Sequence, residues 1–150
     1  MGGKNGGSFP EAVLIADEEG NLYGTTEGGG VSDQGTVFET SPTKTGWTTT
    51  VLYGFGQEYT GDGQAPKSGL AMDKNGNLYG TTFSGGAYNY YGTVFKLSKV
   101  GGKWTESILH SFDGNDGFYP QAELTLHGGW LYGTTTNGGN NSGVIFQVRP

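Results

Sequence analysis

The sequence predicts an all-β protein of β-propeller type, in which three tandem repeats each form a blade of four short antiparallel strands. The string Leu-Tyr-Gly-Thr-Thr occurs three times, at 22–26, 78–82 and 131–135, with offsets of 56 and 53 residues. Each copy follows a proline, and each is followed by a Gly-Gly pair and then by Gly-Thr-Val-Phe or Gly-Val-Ile-Phe. No segment has a helical period. Several short strands in a unit of this length, repeated in phase, are typical of propeller blades.

The repeats place four strands, a to d, in one domain of residues 1–150, with repeats at 10–65, 66–119 and 120–150. Strand a follows the proline and has an apolar or small residue at every second position, as in Ser68, Leu70 and Met72, which indicates one buried face. An Asx-Gly turn leads to strand b, the Leu-Tyr-Gly-Thr-Thr string. Its central glycine, which recurs at Gly24, Gly80 and Gly133, predicts the close approach of a neighbouring backbone or sheet. Strand c starts at Gly-Thr-Val-Phe, and strand d covers Trp47–Phe55 and Trp104–Phe112.

Counting these strands predicts eleven, because the third repeat stops where its strand d would begin. No strand d precedes the first proline to complete it. Closed propellers have typically four to eight blades, so three blades are expected to form an open arc. We expect copies to associate into a ring, two or three chains together, or the arc to belong to a longer repeat chain. Another repeat-built β assembly is the alternative fold.

Composition narrows the possible partners. Glycine contributes 31 of 150 residues without a G-X-Y period, while nine Tyr, eight Phe and three Trp can form a core. The net charge is −6 and the eight Lys and Arg are scattered, which argues against nucleic acid and anionic membranes. The chain has no cysteine for a disulfide or a thiolate site, and no apolar run approaches membrane-spanning length.

The repeat motif resembles a known family. Asn-Leu-Tyr-Gly-Thr-Thr, then Gly-Gly, then Gly-Thr-Val-Phe-Lys-Leu at 92–97 is similar to the glycine-rich GloVer tandem repeats of bacterial secreted and surface-anchored proteins. The resemblance covers essentially the whole chain. The third repeat departs from it, with His127-Gly-Gly-Trp130 at the turn and Gly-Val-Ile-Phe in strand c. The resemblance implies a repeat architecture and an extracellular or cell-surface setting, and it implies no established reaction.

The sequence predicts no catalytic residues, no metal site and no cofactor. Asp73, Asn75 and Asn77 have the spacing that starts a calcium loop, but Leu78 and Gly85 stand where that loop needs glycine and glutamate. We therefore interpret the segment as a hairpin turn. His110 and His127 lie in different settings, on a strand d and in a turn, and His110 takes the place of Tyr53 in repeat one, so packing is expected. The carboxylates of Asp113 and Asp116 are expected in plain turns, with a hard cation as the alternative.

The positions that do not recur indicate where a ligand could bind. In a four-stranded blade the b–c and d–a loops fall on the same face, which would collect aromatic rings beside amides and carboxylates. Rings stack on the apolar faces of sugars, and Tyr-rich surfaces also suit proteins, so a glycan or a surface protein is the expected partner. The candidate ligand-binding residues are Tyr59, Asp62, Tyr88, Tyr90, Tyr91, Asp113, Asp116, Phe118 and Tyr119.

These observations favour a non-catalytic extracellular repeat module, binding, adhesive or scaffolding, that completes a ring by self-association. One alternative is a purely structural or engineered propeller fragment without a ligand. Another is a fragment of a carbohydrate-active enzyme. Acidic residues on the loops could serve such an enzyme, but none recurs in all three repeats and nothing selects a pair.

Overall fold

The structure is a computed structural model that describes residues 6–56, 61–88, 90–140 and 142–150. Within these ranges the chain forms β-strands and turns and no helix. The strands in chain order are β1 (Gly7–Ser8), β2 (Ile15–Ala16), β3 (Leu22–Thr26), β4 (Gly28–Gly29), β5 (Thr36–Thr43), β6 (Gly46–Gly54), β7 (Gly63–Gln64), β8 (Ala71–Met72), β9 (Leu78–Thr82), β10 (Ser84–Gly85), β11 (Thr93–Val100), β12 (Lys103–Ser111), β13 (Phe118–Pro120), β14 (Thr125–His127), β15 (Trp130–Asn137) and β16 (Ile145–Val148).

The longer strands form one antiparallel sheet per repeat. Sheet 1 has the order β2-β3-β5-β6, and sheet 2 has the equivalent order β8-β9-β11-β12. In sheet 3, β15 pairs with both β14 and β16. Strands a to d of the sequence therefore match the observed elements in order, including strands a, b and c of the third repeat. Strand a is shorter than its apolar alternation indicates, because only its last two or three residues pair with strand b.

A short antiparallel strand pairing that the sequence did not indicate recurs in each of the three repeats. The segment before each proline pairs with the chain just after strand b, as β1 with β4, β7 with β10, and β13 with the end of β15. The residue directly before each proline takes a left-handed backbone conformation, with φ of 58° at Phe9, 52° at Ala65 and 59° at Tyr119. Non-glycine residues rarely adopt this conformation, so its threefold recurrence is a structural property of the repeat.

The central glycine of strand b is required by close packing, but the atoms that approach it belong to side chains of its own sheet and not to a neighbouring backbone or sheet. A Cβ on Gly80 would lie 2.6 Å from Cζ of Phe95 and 3.1 Å from Cδ2 of Leu70. The same contact recurs in sheet 3, where a Cβ on Gly133 would lie 2.4 Å from Cζ of Phe146. Each sheet thus lays a phenylalanine from strand c across the glycine of strand b.

The two hydrophobic cores lie between consecutive sheets and use equivalent positions. We call the face of a sheet toward the preceding repeat its leading face, and the opposite face its trailing face. The trailing face of sheet 1 packs on the leading face of sheet 2. The trailing face of sheet 2 packs in the same way on the leading face of sheet 3. The buried members are Tyr23, Val37 and Phe55 with Leu70, Leu78, Phe95 and Leu97 in the first core, and Tyr79, Val94 and Phe112 with Leu124 and Leu131 in the second.

The two outer faces of this stack are exposed at positions that are covered elsewhere. On the leading face of sheet 1, Leu14 is 48% exposed, whereas its equivalent Leu70 in sheet 2 is 0% exposed. Trp47 and Val51 on that face are also exposed, although Phe38 is buried. On the trailing face of sheet 3, Ile145 is 84% exposed, whereas the equivalent Val94 of sheet 2 is 0% exposed. Each outer face therefore carries apolar side chains at positions whose equivalents in sheet 2 are buried in a core.

Candidate functional site: the loop face

The b–c and d–a loops lie at one end of the three sheets, and we call this end the loop face. Equivalent backbone hydrogen bonds at the two junctions of the repeats hold it together. The amide of Ala65 donates to the carbonyl of Gln34, and the amide of Tyr119 donates to the carbonyl of Tyr91 at the equivalent position. Of the predicted ligand-binding residues, Tyr59 lies outside the described residues. The others fall into three groups of different exposure.

Three of the predicted aromatic residues pack against one another. The ring centroids of Tyr91 and Phe118 are 5.3 Å apart, and those of Phe118 and Tyr119 are 5.0 Å apart. Tyr119 also stacks on Phe83 at 4.5 Å with an interplanar angle of 15°. The ammonium of Lys67 lies 4.6 Å from the Phe83 ring centroid, in cation–π geometry. These half-buried rings close the crevice between sheets 2 and 3 on the loop face.

Two other predicted residues, Tyr88 and Tyr90, are exposed, at 53% and 65%. Tyr88 lines an open cleft of about 460 Å³ together with His110, Asp113 and Asp116. The structure thus brings three of the predicted residues to one cleft. An exposed phenol beside carboxylates and an imidazole can stack on a ligand and accept or donate hydrogen bonds.

The acidic side chains of this cleft are already engaged in local hydrogen bonds. Nε2 of His110 lies 2.6 Å from Oδ2 of Asp116, whose other oxygen accepts the amide of Asp113 at 3.0 Å. The backbone amide of Asn115 donates to the Asp113 carboxylate and, with that of Asp116, lowers the Asp113 pKa. The ring of His110 also contacts Phe112 edge-on at 4.8 Å. The His110 ring therefore packs on Phe112, and it also has a carboxylate partner that the sequence did not indicate.

Asp62 is equivalent to Asp116, but it is 6% exposed and lies away from the loop surface. Its Oδ2 accepts hydrogen bonds from the hydroxyl of Tyr53 at 3.1 Å and the amide of Gly56 at 3.0 Å. Burial, together with the charge of Asp62, raises the pKa of Glu106 to about 8. Burial also raises the pKa of Tyr53, with the charges of Glu106 and Asp62 adding to the effect. The sequence holds one signal for this cluster. The charged Glu106 stands between the apolar Trp104 and Ile108 at alternate positions of β12.

The aspartates with calcium-like spacing form hairpin turns, as interpreted from the sequence. The carboxylate of Asp73 accepts bonds from the amides of Asn75 and Asn77, the side chain of Asn77 and the hydroxyl of Tyr79, at 2.8–3.0 Å. Although burial alone would raise it, the pKa of Asp73 is lowered by these bonds. Asp17 is held identically in sheet 1. Among the described residues no group of three His, Asp or Glu side chains lies close enough to hold a metal ion.

A second cleft, of about 510 Å³, lies between repeats 1 and 2 on the loop face, and sequence reasoning missed it. Phe9, Glu11, Glu27, Asp33 and Gln34 contribute to its walls, together with Ala65, which directly precedes the proline that opens the second repeat. The ring of Phe9 is 67% exposed. Glu27 forms an ion pair of 2.9 Å with Lys67, and Oδ1 of Asp33 accepts the amide of Gly29 at 2.8 Å. The sequence signal for this cleft is a difference between equivalent positions of two repeats. Glu27 directly follows the first Leu-Tyr-Gly-Thr-Thr string, whereas Phe83 directly follows the second.

Fold and loop face together define an all-β tandem-repeat protein whose sheets stack through a shared interface. The family model described as the Gloeobacter/Verrucomicrobia repeat matches residues 2–150, so the chain belongs to this repeat family. The predicted resemblance to GloVer-type repeats is thereby confirmed. No curated protein matches the chain. In the part of the chain that the structure describes, no helix is long and apolar enough to cross a membrane.

Proposed function

We propose that the chain is a non-catalytic repeat module of β-propeller type, in which each sheet is one blade and copies of the chain associate to extend the arc into a ring. The module serves as a scaffold that presents the variable loop face to a partner. Its extracellular or cell-surface setting is proposed from the resemblance to secreted and surface-anchored repeats.

One observation carries this proposal: the same pair of surfaces meets twice within the chain. Leu70 and Phe95 of sheet 2 share a core with Val37 of sheet 1, and the equivalent Leu124 of sheet 3 shares a core with Val94 of sheet 2. A face that packs on its neighbour in this way, repeated along the chain, extends from one repeat to the next by the same contacts.

The two outer faces are the two halves of that interface. The leading face of sheet 1 exposes Leu14, Trp47 and Val51, and the trailing face of sheet 3 exposes Ile145. A second copy of the chain can therefore dock its sheet 3 on sheet 1 with contacts of the kind already present inside each chain. Such an interface is head-to-tail, and it gives a closed ring when the rotation per sheet divides a full turn.

Light scattering coupled to gel filtration tests the association. We expect a mass of two or three times the 15.8 kDa of one chain. Val51→Lys on the leading face and Ile145→Lys on the trailing face should each reduce the mass to that of one chain. Val100→Lys is the matched control, because Val100 is 63% exposed and lies at the end of β11, away from either outer face. A native protein of 15.8 kDa at tens of micromolar would overturn the proposal.

A glycan or protein partner on the loop face is the second part of the proposal. The exposure of Tyr88 and Tyr90 supports it, because large exposed aromatic side chains offer contact area at a small entropic cost. We expect Tyr88→Ala to reduce binding to a glycan array, with exposed Val100→Ala as the control. An array on which native protein gives no signal would argue against a glycan partner.

A further inference from the structure

We infer that the cleft between repeats 1 and 2 on the loop face binds a single uncharged or amino sugar unit. This inference rests on the proposed role of the loop face as a binding surface, and it is independent of self-association.

Comparison of equivalent positions shows why this cleft is open: smaller side chains stand where the next crevice has two aromatic rings. Between repeats 2 and 3 the equivalent space holds the stacked rings of Phe83 and Tyr119, 4.5 Å apart. Between repeats 1 and 2 the same two positions carry Glu27 and Ala65. The backbone is equivalent in both places, since Ala65 and Tyr119 have φ values of 52° and 59° and bond to equivalent carbonyls. Replacing two rings by a carboxylate and a methyl group leaves a cleft of about 510 Å³, within the usual range for a small ligand.

The walls of the cleft have the chemistry that recognises a sugar. The exposed ring of Phe9 offers an apolar surface with a negative π face, on which the positively polarised C–H groups of a pyranose can stack. The amide of Gln34 can donate to and accept from hydroxyl groups, and carboxylates accept from them. Asp33 is oriented by the amide of Gly29, which uses one of its two oxygens.

The negative charge of the cleft walls determines which class of sugar the cleft favours. Glu11, Glu27 and Asp33 contribute three carboxylates to the walls, and Lys67 neutralises one of them through its ion pair with Glu27. Uronic acids and sulfated sugars are repelled by the remaining negative charge, whereas an amino sugar gains from it. The cleft therefore favours neutral and amino sugars over acidic ones.

The test uses the full chain and saturation-transfer NMR with four disaccharides: cellobiose, lactose, chitosan dimer and digalacturonic acid. We expect at least one of the first three to bind and digalacturonic acid to give no signal. The double variant Glu27→Phe/Ala65→Tyr copies the ring pair of the next crevice, so it should fold normally and weaken binding at least tenfold. Phe9→Ala should weaken it severalfold. Tyr119→Phe, which keeps the stack in the other crevice, is the matched control and should bind as the native chain does.

The outcomes separate this inference from the proposed function. Binding that survives the double variant but is lost in Tyr88→Ala would overturn the inference and leave the glycan-binding role of the loop face in place. Preferential binding of digalacturonic acid, or binding of none of the four sugars, would overturn the inference. The mass measured by light scattering is unaffected by any of these results and tests self-association separately.

Discussion

The hydroxyl of Tyr79 donates a 2.9 Å hydrogen bond to Oδ2 of Asp73, so strand b holds the turn that precedes it. Tyr23 and Asp17 make the same bond in sheet 1, also at 2.9 Å. In sheet 3, His127 stands in the turn before Tyr132 instead of an aspartate. Equivalent tyrosines therefore differ in what their hydroxyl groups can contact.

Removing this hydroxyl should destabilise the fold only where the aspartate is present. We expect Tyr79→Phe to lower the free energy of unfolding by about 1–2 kcal/mol, because the bond ends on a charged acceptor. The control Tyr132→Phe should change it by less than about 0.5 kcal/mol. Urea denaturation of the two variants and the native chain makes the comparison. Equal effects of both substitutions would contradict the role assigned to Asp73.

The pH dependence of the same pair has a defined direction. The pKa of Asp73 is lowered in the folded state. Its contribution to the stability of the fold is therefore present above the pKa of the unfolded state and is lost as the pH falls through the pKa of the folded state. The pKa of Tyr79 is raised to about 12 by burial and by Asp73, so its contribution is lost as the pH rises from 10 towards 12. Tyr79→Phe should reduce both losses, which denaturation at acid, neutral and strongly alkaline pH would measure.

Glu106 should make the protein less stable as the solution becomes alkaline. Its pKa is raised from 4.5 to about 8 by burial and by the charge of Asp62, so the stability that it contributes is complete below 4.5 and is lost as the pH rises through 8. Among the described residues, Tyr53 and Asp62 are the titratable groups that influence it, and the carboxylate of Asp62 accepts the Tyr53 hydroxyl.

The substitution Glu106→Gln keeps the size of the side chain and removes its titration. At pH 9 we expect the variant to be more stable than the native chain by about 1–2 kcal/mol, and at pH 4 we expect little difference. Thermal unfolding across this pH range is the measurement. A native chain whose stability does not fall between pH 5 and pH 9 relative to the variant would show that the carboxyl group is not buried with Asp62.

The central glycine of strand b should tolerate no side chain. In Gly80→Ala the new Cβ would meet the ring of Phe95 at 2.6 Å, and we expect a loss of about 2–3 kcal/mol from overpacking. Gly54→Ala is the control, because its nearest neighbour would be the amide nitrogen of Val31 at 3.8 Å. Gly54 does not have a positive φ, so it should accept alanine with little change. Chemical denaturation of both variants tests whether the two glycines differ.

Recurring residues allowed most of the fold to be predicted, because a sequence motif that recurs in phase forms the same local strand or turn in each repeat. The order of strands, the turn at Asp73 and the close approach at Gly80 all follow from residues present in more than one repeat. The pairing of β7 with β10 was missed because two-residue ladders rich in glycine have no side-chain alternation to reveal them.

The candidate site was harder to predict, because sequence shows which residues share a face but not which of them contact each other. Tyr91, Phe118 and Tyr119 were predicted as ligand contacts, and their rings contact one another. Asp62 was predicted on the surface and is buried, and there its Oδ2 accepts the hydroxyl of Tyr53. The open cleft depends on Glu27 and Ala65, and the absence of an aromatic ring at these two positions is not a signal that a sequence pattern reveals.

The stacking of sheets through one repeated interface has a consequence for how the protein opens. Sheet 2 has a neighbour on both faces, while within one chain sheets 1 and 3 each have a neighbour on one face. In such a nearest-neighbour system, local opening starts at the ends and spreads inward. Amide hydrogens of β9 and β11 should therefore exchange with solvent last, and association of chains should slow the exchange of β3 and β15 towards the rate of β9.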